Sequence, residues 1–199
     1  MQHEANTTYV RYDFIRGSNA LSLNIKAMVD YRDHHASTRG GDWRMQIAPL
    51  ENGLCITAYD DAVPYYIFSS GAAVAPRHEW YHSYYLNVES QRGLEALDDN
   101  LCAGEFHATL SPGQSLTIVA STDKMSGKDG MAAYDERRNY EEELAAQNQM
   151  ANESPDVQQL TLAADQFIVC RPTHEDPEGH SIIAGYPWLG DWGRDTMIA

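Results

Sequence analysis

Apolar and polar residues alternate with a period of two along much of the first two thirds of the chain. This is the pattern of strands that have one buried and one solvated face. The clearest example is residues 21–27, LSLNIKA. Segments rich in β-branched and aromatic residues, bounded by Gly, Pro or Asp, predict further strands at residues 7–16, 43–50, 54–59, 63–69 and 116–121. Strands at this spacing predict an antiparallel β-sandwich.

Three local signals refine this outline. Asn52 and Gly53 predict a tight hairpin turn, because both residues tolerate positive φ. A short helix is expected at residues 91–98. The strand at residues 7–16 begins almost at the first residue, so we expect the sandwich to lack its earlier strands.

The pattern changes near residue 131, where we place a domain boundary. Residues 132–150 contain strong helix formers but little apolar periodicity, which predicts a solvated connecting helix. A second helix is predicted after Ser154, which can cap it, with Pro155 in the first helical position. Its apolar residues fall on one face. This face must pack against something, and another helix is the expected partner. The apolar residues that form the face are Val157, Leu160, Ala164, Phe167 and Ile168.

Charge and hydropathy exclude several classes of partner. The 199-residue chain has a net charge of −15, so a polyanion such as nucleic acid would be repelled. A neutral glucan would not be. No run of about 18 apolar residues could span a bilayer, and the first residues lack the order of a signal peptide. We therefore expect no membrane partner and a cytoplasmic location.

Two sets of candidate metal ligands are weak. Cys55, Cys102 and Cys170 are too widely spaced for a zinc site or a disulfide framework. The segment HEWYH between His78 and His82 matches the pattern of zinc proteases, which requires a helix. A nearby proline and the surrounding aromatic residues favour a strand instead, so we assign no metal site.

Candidate catalytic groups are equally isolated. Asp33, His34 and His35 are not accompanied by a nucleophile elbow or a plausible catalytic cysteine. The cluster HEDPEGH at residues 174–180 has the composition of a solvated loop. No phosphate-binding or dinucleotide-binding motif is present, and we expect no cofactor and assign no catalytic residue.

The richest chemistry lies at residues 185–199, GYPWLGDWGRDTMIA. An aromatic ring can stack on the apolar face of a pyranose, and charged groups can bind its hydroxyls through strong hydrogen bonds. The same residue types also occur in packing corners between helices, and composition alone does not separate the two. The candidates for a sugar-binding site are Trp188, Asp191, Trp192, Arg194 and Asp195.

Residues 185–199 closely resemble the segment that opens the catalytic domain of bacterial and archaeal type glycogen debranching enzymes, the amylo-α-1,6-glucosidases. Residues 163–169 resemble the first barrel helix of the same family. Further similarities to its N-terminal sandwich domain lie at residues 13–16, 31–34, 38–40, 80–81, 89, 92–94, 98–99 and 104–106. The resemblance extends over nearly the whole chain.

The resemblance implies a fold, a reaction and residue roles. The fold would be an N-terminal β-sandwich at residues 1–131, a linker helix at 132–153, and the start of an (α/α)6 toroid at 154–199. The reaction would be hydrolysis of α-1,6-linked glucosyl stubs in glycogen or limit dextrin, by an inverting mechanism that uses two carboxyl groups. Trp192 would stack on the terminal glucose while Arg194 and Asp195 hold its hydroxyls, with Asp191 and Trp188 nearby.

In this family the general acid and base lie on later toroid helices, beyond Ala199. We therefore expect a fragment of a debranching enzyme that is inactive by itself. Two alternatives remain open from the sequence. One is a non-catalytic glucan-binding or scaffold module, and the other is a glucoamylase-like or trehalase-like hydrolase of a different glucoside.

Overall fold

The computed structural model of the chain describes residues 5–33, 36–124, 129–147 and 153–183, together with residues 185, 190 and 193. It contains two compact units, residues 1–130 and 131–199. The strands of the first unit are β1 (Thr7–Asp13), β2 (Leu21–Val29), β3 (Gln46–Leu50), β4 (Gly53–Thr57), β5 (Tyr65–Ser69), β6 (Ala73–Tyr85), β7 (Leu97–Leu110) and β8 (Ser115–Ser121). A short helix, α1 (Asn87–Gln91), connects β6 to β7.

These strands form two antiparallel sheets. One has five strands in the order β1-β8-β5-β4-β3, and the other has three in the order β2-β7-β6. The described chain is mainly antiparallel β-structure with helices towards its C-terminal end, as the sequence predicted. β7 is the centre of the smaller sheet, so both of its edges are hydrogen-bonded.

The core lies between the two sheets. Leu54, Ile56 and Ile67 of the larger sheet meet Leu101 and Phe106 of the smaller one. A second cluster lies around Leu110 and Leu116. Burial of such large apolar side chains is the main favourable term in folding.

Gly104 of β7 allows the sheets to approach closely. A Cβ atom at this position would lie 2.4 Å from Cδ1 of Leu54, across the interface between the sheets. A larger residue would therefore force the sheets apart or displace Leu54.

Two local predictions were wrong in detail. The short helix spans Asn87–Gln91 rather than 91–98, and Gly93, with φ of 73°, follows its end in the left-handed conformation common after a helix. In the β3–β4 hairpin, Glu51 and Asn52 form the turn, while Gly53 pairs with Leu50 as part of β4. Gly53 is needed for close packing, because its Cβ would lie 2.3 Å from the carbonyl oxygen of Ile67.

The second unit contains two helices and a small hairpin. Its elements are α2 (Gly130–Gln147), α3 (Pro155–Asp165), β9 (Ile168–Cys170) and β10 (His180–Ile182). The Ser154 cap is confirmed, since its side chain accepts a hydrogen bond from the Val157 amide. The Tyr140 hydroxyl connects the helices by donating to Asp165 over 2.6 Å.

The predicted apolar face of the second helix is too long. The helix ends at Asp165, and Ile168 lies in β9, where it pairs with Ile182. The β-branched pair Ile168 and Val169 favours extended backbone, which explains the early end. In the described part of the chain, Val157 and Leu160 are exposed, so the packing partner proposed for this face stays a prediction.

Among the helices in the described residues, none has the length and apolarity that a membrane span requires.

Candidate functional site

The five residues predicted to bind sugar lie outside the described residues. They are Trp188, Asp191, Trp192, Arg194 and Asp195. The same is true of His34 and His35 in the candidate catalytic triplet. The sugar-binding role of these tryptophans and charged groups therefore stays a prediction.

The described residues instead bring together a buried polar cluster around the loop between β2 and β3. Two adjacent carboxylates of β7, those of Asp98 and Asp99, point at this loop and are almost fully buried. Asp98 accepts a hydrogen bond of 2.6 Å from the Thr38 amide, and its second oxygen lies 3.2 Å from Nη2 of Arg32. Both oxygens of Asp98 are thus engaged by residues that lie far from it in sequence.

Asp99 accepts three hydrogen bonds from three places. The Gly40 amide and Nδ1 of His82 donate to Oδ2 over 2.9 and 3.0 Å, and the Ser83 amide donates to Oδ1 over 2.9 Å. The pKa of Asp99 lies well below its ordinary value, because the His82 hydrogen bond, followed by those from the Ser83 and Gly40 amides, stabilises the ionised form. Since a carboxylate only accepts, His82 must donate from Nδ1.

A bulge in β6 makes this arrangement possible. The register between β6 and β7 shifts between Tyr81 and Tyr84, so that His82 and Ser83 lie opposite Asp99. Ser83 has φ of 61°, in the left-handed region that only a few non-glycine residues adopt. The hydrogen bond from its amide to Asp99 compensates this unfavourable backbone conformation.

Asp30, at the end of β2, organises the other side of the loop. Its carboxylate accepts from Nε of Arg32 over 2.8 Å and from the Tyr31 amide over 2.9 Å, and the Thr38 hydroxyl also donates to it. Arg32 therefore joins two carboxylates, Asp30 and Asp98. Removing one partner would leave a largely buried charge without its counter-charge, which is the costly case.

Two tryptophans close the far end of the loop. Gly40 lies against the Trp80 ring, because a Cβ at this position would be 2.4 Å from Cδ2 of that ring. Nε1 of Trp80 donates to the Trp43 carbonyl over 3.1 Å, and Nε1 of Trp43 donates to the Ala58 carbonyl over 2.9 Å. The ring centroids are 5.8 Å apart.

Three tyrosines form an aromatic cluster beside Asp30. Tyr31 stacks on Tyr65 with centroids 6.4 Å apart, and it makes a T-shaped contact of 5.4 Å with Tyr59. The Tyr65 hydroxyl is buried and has no hydrogen-bond partner among the described residues. Burial raises the pKa of Tyr65 well above its ordinary value.

The chemistry of the cluster follows from how its groups are used. The carboxylates of Asp98 and Asp99 are buried and occupied by donors, so they position the loop and are not placed to take a proton from a substrate. Exposed groups around this cluster include the ring of Tyr59 and the imidazole of His82, which has a 56% exposed side chain. Within the described ranges, no group of three or more His, Cys, Asp or Glu residues could hold a metal ion.

The pattern HEWYH lies in β6, as the sequence predicted, and its two histidines have different partners. His82 meets Asp99, whereas Nδ1 of His78 lies 3.3 Å from Nη1 of Arg44. Nε2 of His78 is buried and has no partner in the described part of the chain.

The adjacent residues Asp98 and Asp99 were a sequence signal for the loop cluster. Aspartate is depleted in strands, so two adjacent aspartates inside β7 require a structural or functional reason. Their partners, Thr38 and Gly40, lie in a segment without periodicity. The hydrogen bonds between this segment and the two aspartates therefore could not be predicted from the sequence pattern. Asp30 was missed for the same reason. Arg32 lies within residues 31–34, which resemble the sandwich domain of the family, but the resemblance assigned it no role.

Two family models match the chain. The model described as "Glycogen debranching enzyme N terminal" matches residues 1–117, which is more than half of the 199 residues. The model described as "Amylo-alpha-1,6-glucosidase" matches residues 162–199. In the same comparisons, no curated protein and no solved structure matches the chain.

Proposed function

The chain belongs to the family of glycogen debranching enzyme N-terminal domains, and on that premise we propose that it serves hydrolysis of α-1,6-linked glucosyl stubs in glycogen or limit dextrin. The observation that carries this proposal is the order of the two matches. A debranching-enzyme N-terminal region is followed in the same chain by a segment that matches the amylo-α-1,6-glucosidase model. The substrate of this chain is therefore proposed to be an α-glucan.

The proposal gives roles to the residues that are predicted to bind sugar. Trp192 stacks on the terminal glucose, and Arg194 and Asp195 hold its hydroxyls through charge-assisted hydrogen bonds. Asp191 and Trp188 lie nearby. These roles are supported by the resemblance of residues 185–199 to the opening segment of the glucosidase domain.

The chemical step requires two further carboxyl groups. In an inverting glycosidase, one protonates the glycosidic oxygen and the other activates water, and they are about 6.5–9.5 Å apart to leave room for that water. We propose that both belong to later helices of an (α/α)6 toroid. The 199-residue chain is then proposed to bind glucan without hydrolysing it.

The proposed organisation follows the resemblance. Residues 1–131 form the sandwich domain, residues 132–153 the linker helix, and residues 154–199 the start of the glucosidase domain. A cytoplasmic location is part of the same proposal.

Two measurements test the proposal. The first is glucose release from a phosphorylase limit dextrin by the 199-residue chain, for which we expect no release above the buffer blank. Brisk release would refute the assignment of acid and base to other residues. The second is affinity electrophoresis in gels that contain glycogen, in which Trp192→Ala and Arg194→Ala should each reduce retardation.

A matched control separates binding from a general effect of charge. Arg138 is an exposed arginine of α2 that pairs with Glu142 over 2.8 Å. Arg138→Ala removes the same charge as Arg194→Ala and should leave retardation unchanged. Equal loss in both variants would show that the arginine effect is electrostatic and would remove the support for a sugar subsite at residues 188–195.

A substrate panel on a protein that also carries the proposed later toroid helices separates the remaining alternatives. Release of glucose from α-1,6 branch stubs supports the proposal. Preference for linear maltooligosaccharides or trehalose would instead indicate another glucoside hydrolase of similar fold. Retention on glycogen without any hydrolysis would indicate a binding or scaffold module.

A further inference from the structure

The turn between β4 and β5, residues 58–63, is held by contacts on both sides. Ala58 and Ala62 are buried in the core of the sandwich. The Ala58 carbonyl accepts from Nε1 of Trp43 over 2.9 Å, and the Ala62 amide donates to the Tyr59 carbonyl over 2.9 Å. The Val63 amide donates to the Tyr31 hydroxyl over 3.2 Å. The backbone of this turn is therefore fixed before any ligand arrives.

Tyr59 presents an aromatic ring to solvent from this fixed turn. The residue is 56% exposed, yet its ring is held by the T-shaped contact with Tyr31 at 5.4 Å. Tyr31 is itself held, since its amide donates to Asp30 and its hydroxyl accepts from Val63. An aromatic ring that is already ordered loses little conformational entropy when a ligand stacks on it.

Two carboxylate residues follow Tyr59 directly in sequence. Asp60 and Asp61 follow Tyr59 in the same turn, and both are exposed. Nε2 of Gln46 lies 3.5 Å from Oδ1 of Asp60, so a side-chain amide that can donate hydrogen bonds lies next to this carboxylate. Carboxylates accept strong hydrogen bonds from hydroxyl groups, and an aromatic face can cover the apolar face of a sugar ring.

We propose that residues 58–63 form an α-glucan-binding platform on the sandwich, in which Tyr59 stacks on a glucosyl ring and Asp60 and Asp61 accept hydrogen bonds from its hydroxyls. The choice of glucan as the ligand depends on the proposed function. An aromatic ring followed by two acceptors fits a polyhydroxylated, uncharged ligand. An anionic polymer is disfavoured by the two carboxylates and by the net charge of −15.

The test is affinity electrophoresis of the complete 199-residue chain in gels with increasing glycogen. Tyr59→Ala should weaken binding about five- to tenfold, as expected for the loss of one stacked ring. Tyr59→Phe keeps the ring and should bind within about twofold of the wild type. Asp61→Asn should weaken binding by a smaller factor, since the amide keeps one acceptor oxygen.

Tyr134→Ala is the matched control. Tyr134 lies in α2 and is 60% exposed, so this variant removes an equally exposed tyrosine elsewhere in the chain. It should retain wild-type binding. Thermal unfolding of each variant shows whether it is folded, and because Tyr59 is mostly exposed we expect Tyr59→Ala to remain so.

The outcomes distinguish this platform from the predicted sugar site at residues 188–195. If Tyr59→Ala binds glycogen like the wild type while Trp192→Ala does not, the platform is overturned and the proposed function stands. If Tyr59→Ala loses binding while Trp192→Ala keeps it, the platform is supported and the terminal subsite is not. A wild-type chain that glycogen does not retard overturns the platform, whatever the limit-dextrin assay shows.

Discussion

The carboxylate of Asp98 accepts a hydrogen bond from the backbone amide of Thr38, 60 residues earlier in the chain, over 2.6 Å. Its other oxygen lies 3.2 Å from the Arg32 guanidinium. The Gly40 amide likewise donates to Asp99. Together these contacts hold the loop between β2 and β3 against the central strand of the smaller sheet. The position of Tyr31, and through it of Tyr59, depends on this attachment.

Removing the Asp98 side chain should therefore destabilise the sandwich. Asp98→Ala leaves the Thr38 amide and the Arg32 guanidinium without their acceptor, and we expect the free energy of unfolding to fall by about 3 kcal/mol. Denaturation in urea measures this. As a control, Asp13→Ala removes an exposed carboxylate that pairs with Arg11 and should cost less than about 1 kcal/mol. Equal effects would show that Asp98 does not anchor the loop.

Gly40→Ala should lower stability by about 2 kcal/mol, because the new methyl group meets the rigid Trp80 ring. Combining it with Trp80→Leu should cost less than the sum of the single changes, since the ring that clashes is gone. Gly41 is the comparison. It has open space around it but φ of 48°, so Gly41→Ala costs backbone energy that Trp80→Leu cannot relieve. If Trp80→Leu reduced the cost of Gly41→Ala as much as that of Gly40→Ala, the contact between Gly40 and the Trp80 ring would be contradicted.

The hydrogen bonds to Asp99 should make stability depend on pH below about 4, the ordinary pKa of an aspartate. Its pKa in the folded chain is lowered, so on acidification the unfolded chain takes up a proton first. The contribution of Asp99 is therefore fully present above the unfolded pKa and is lost as the pH falls towards the folded pKa. The slope of the unfolding free energy against pH reports how many more protons the unfolded chain binds than the folded chain. In Asp99→Asn this difference in bound protons should decrease by up to about one in the acidic range. An unchanged slope would exclude Asp99 as the titrating group.

Ser83→Gly should raise the free energy of unfolding by about 0.5 kcal/mol. Glycine adopts the observed φ of 61° without steric cost and keeps the amide that donates to Asp99, although it adds freedom to the unfolded chain. Ser22→Gly in β2 serves as the control with the opposite sign, since an extended position gains nothing from glycine and should lose about 0.5–1 kcal/mol. Thermal unfolding of the two variants compares them directly.

Most of the larger sheet could be predicted from the sequence, because its strands have β-branched and aromatic residues between clear turn signals. The segment that became β7 could not be predicted this way. It is buried along much of its length as the central strand, so it lacks alternation, and it carries Asp98 and Asp99, which are unusual in strands. The end of α3 at Asp165 was also not predicted, because residues 168–170 form a hairpin by pairing with His180–Ile182.

The sequence by itself determined the fold class, the strong acidity of the chain and the family to which it belongs, since periodicity, charge and ordered motifs are local properties. Only the tertiary structure decided which partners the carboxylates of Asp30, Asp98 and Asp99 would have, and that Tyr59 would project from a fixed turn against Tyr31. These relationships join residues that are far apart along the chain. They are set by how the two sheets pack and by the bulge at Ser83, and no local pattern encodes that geometry.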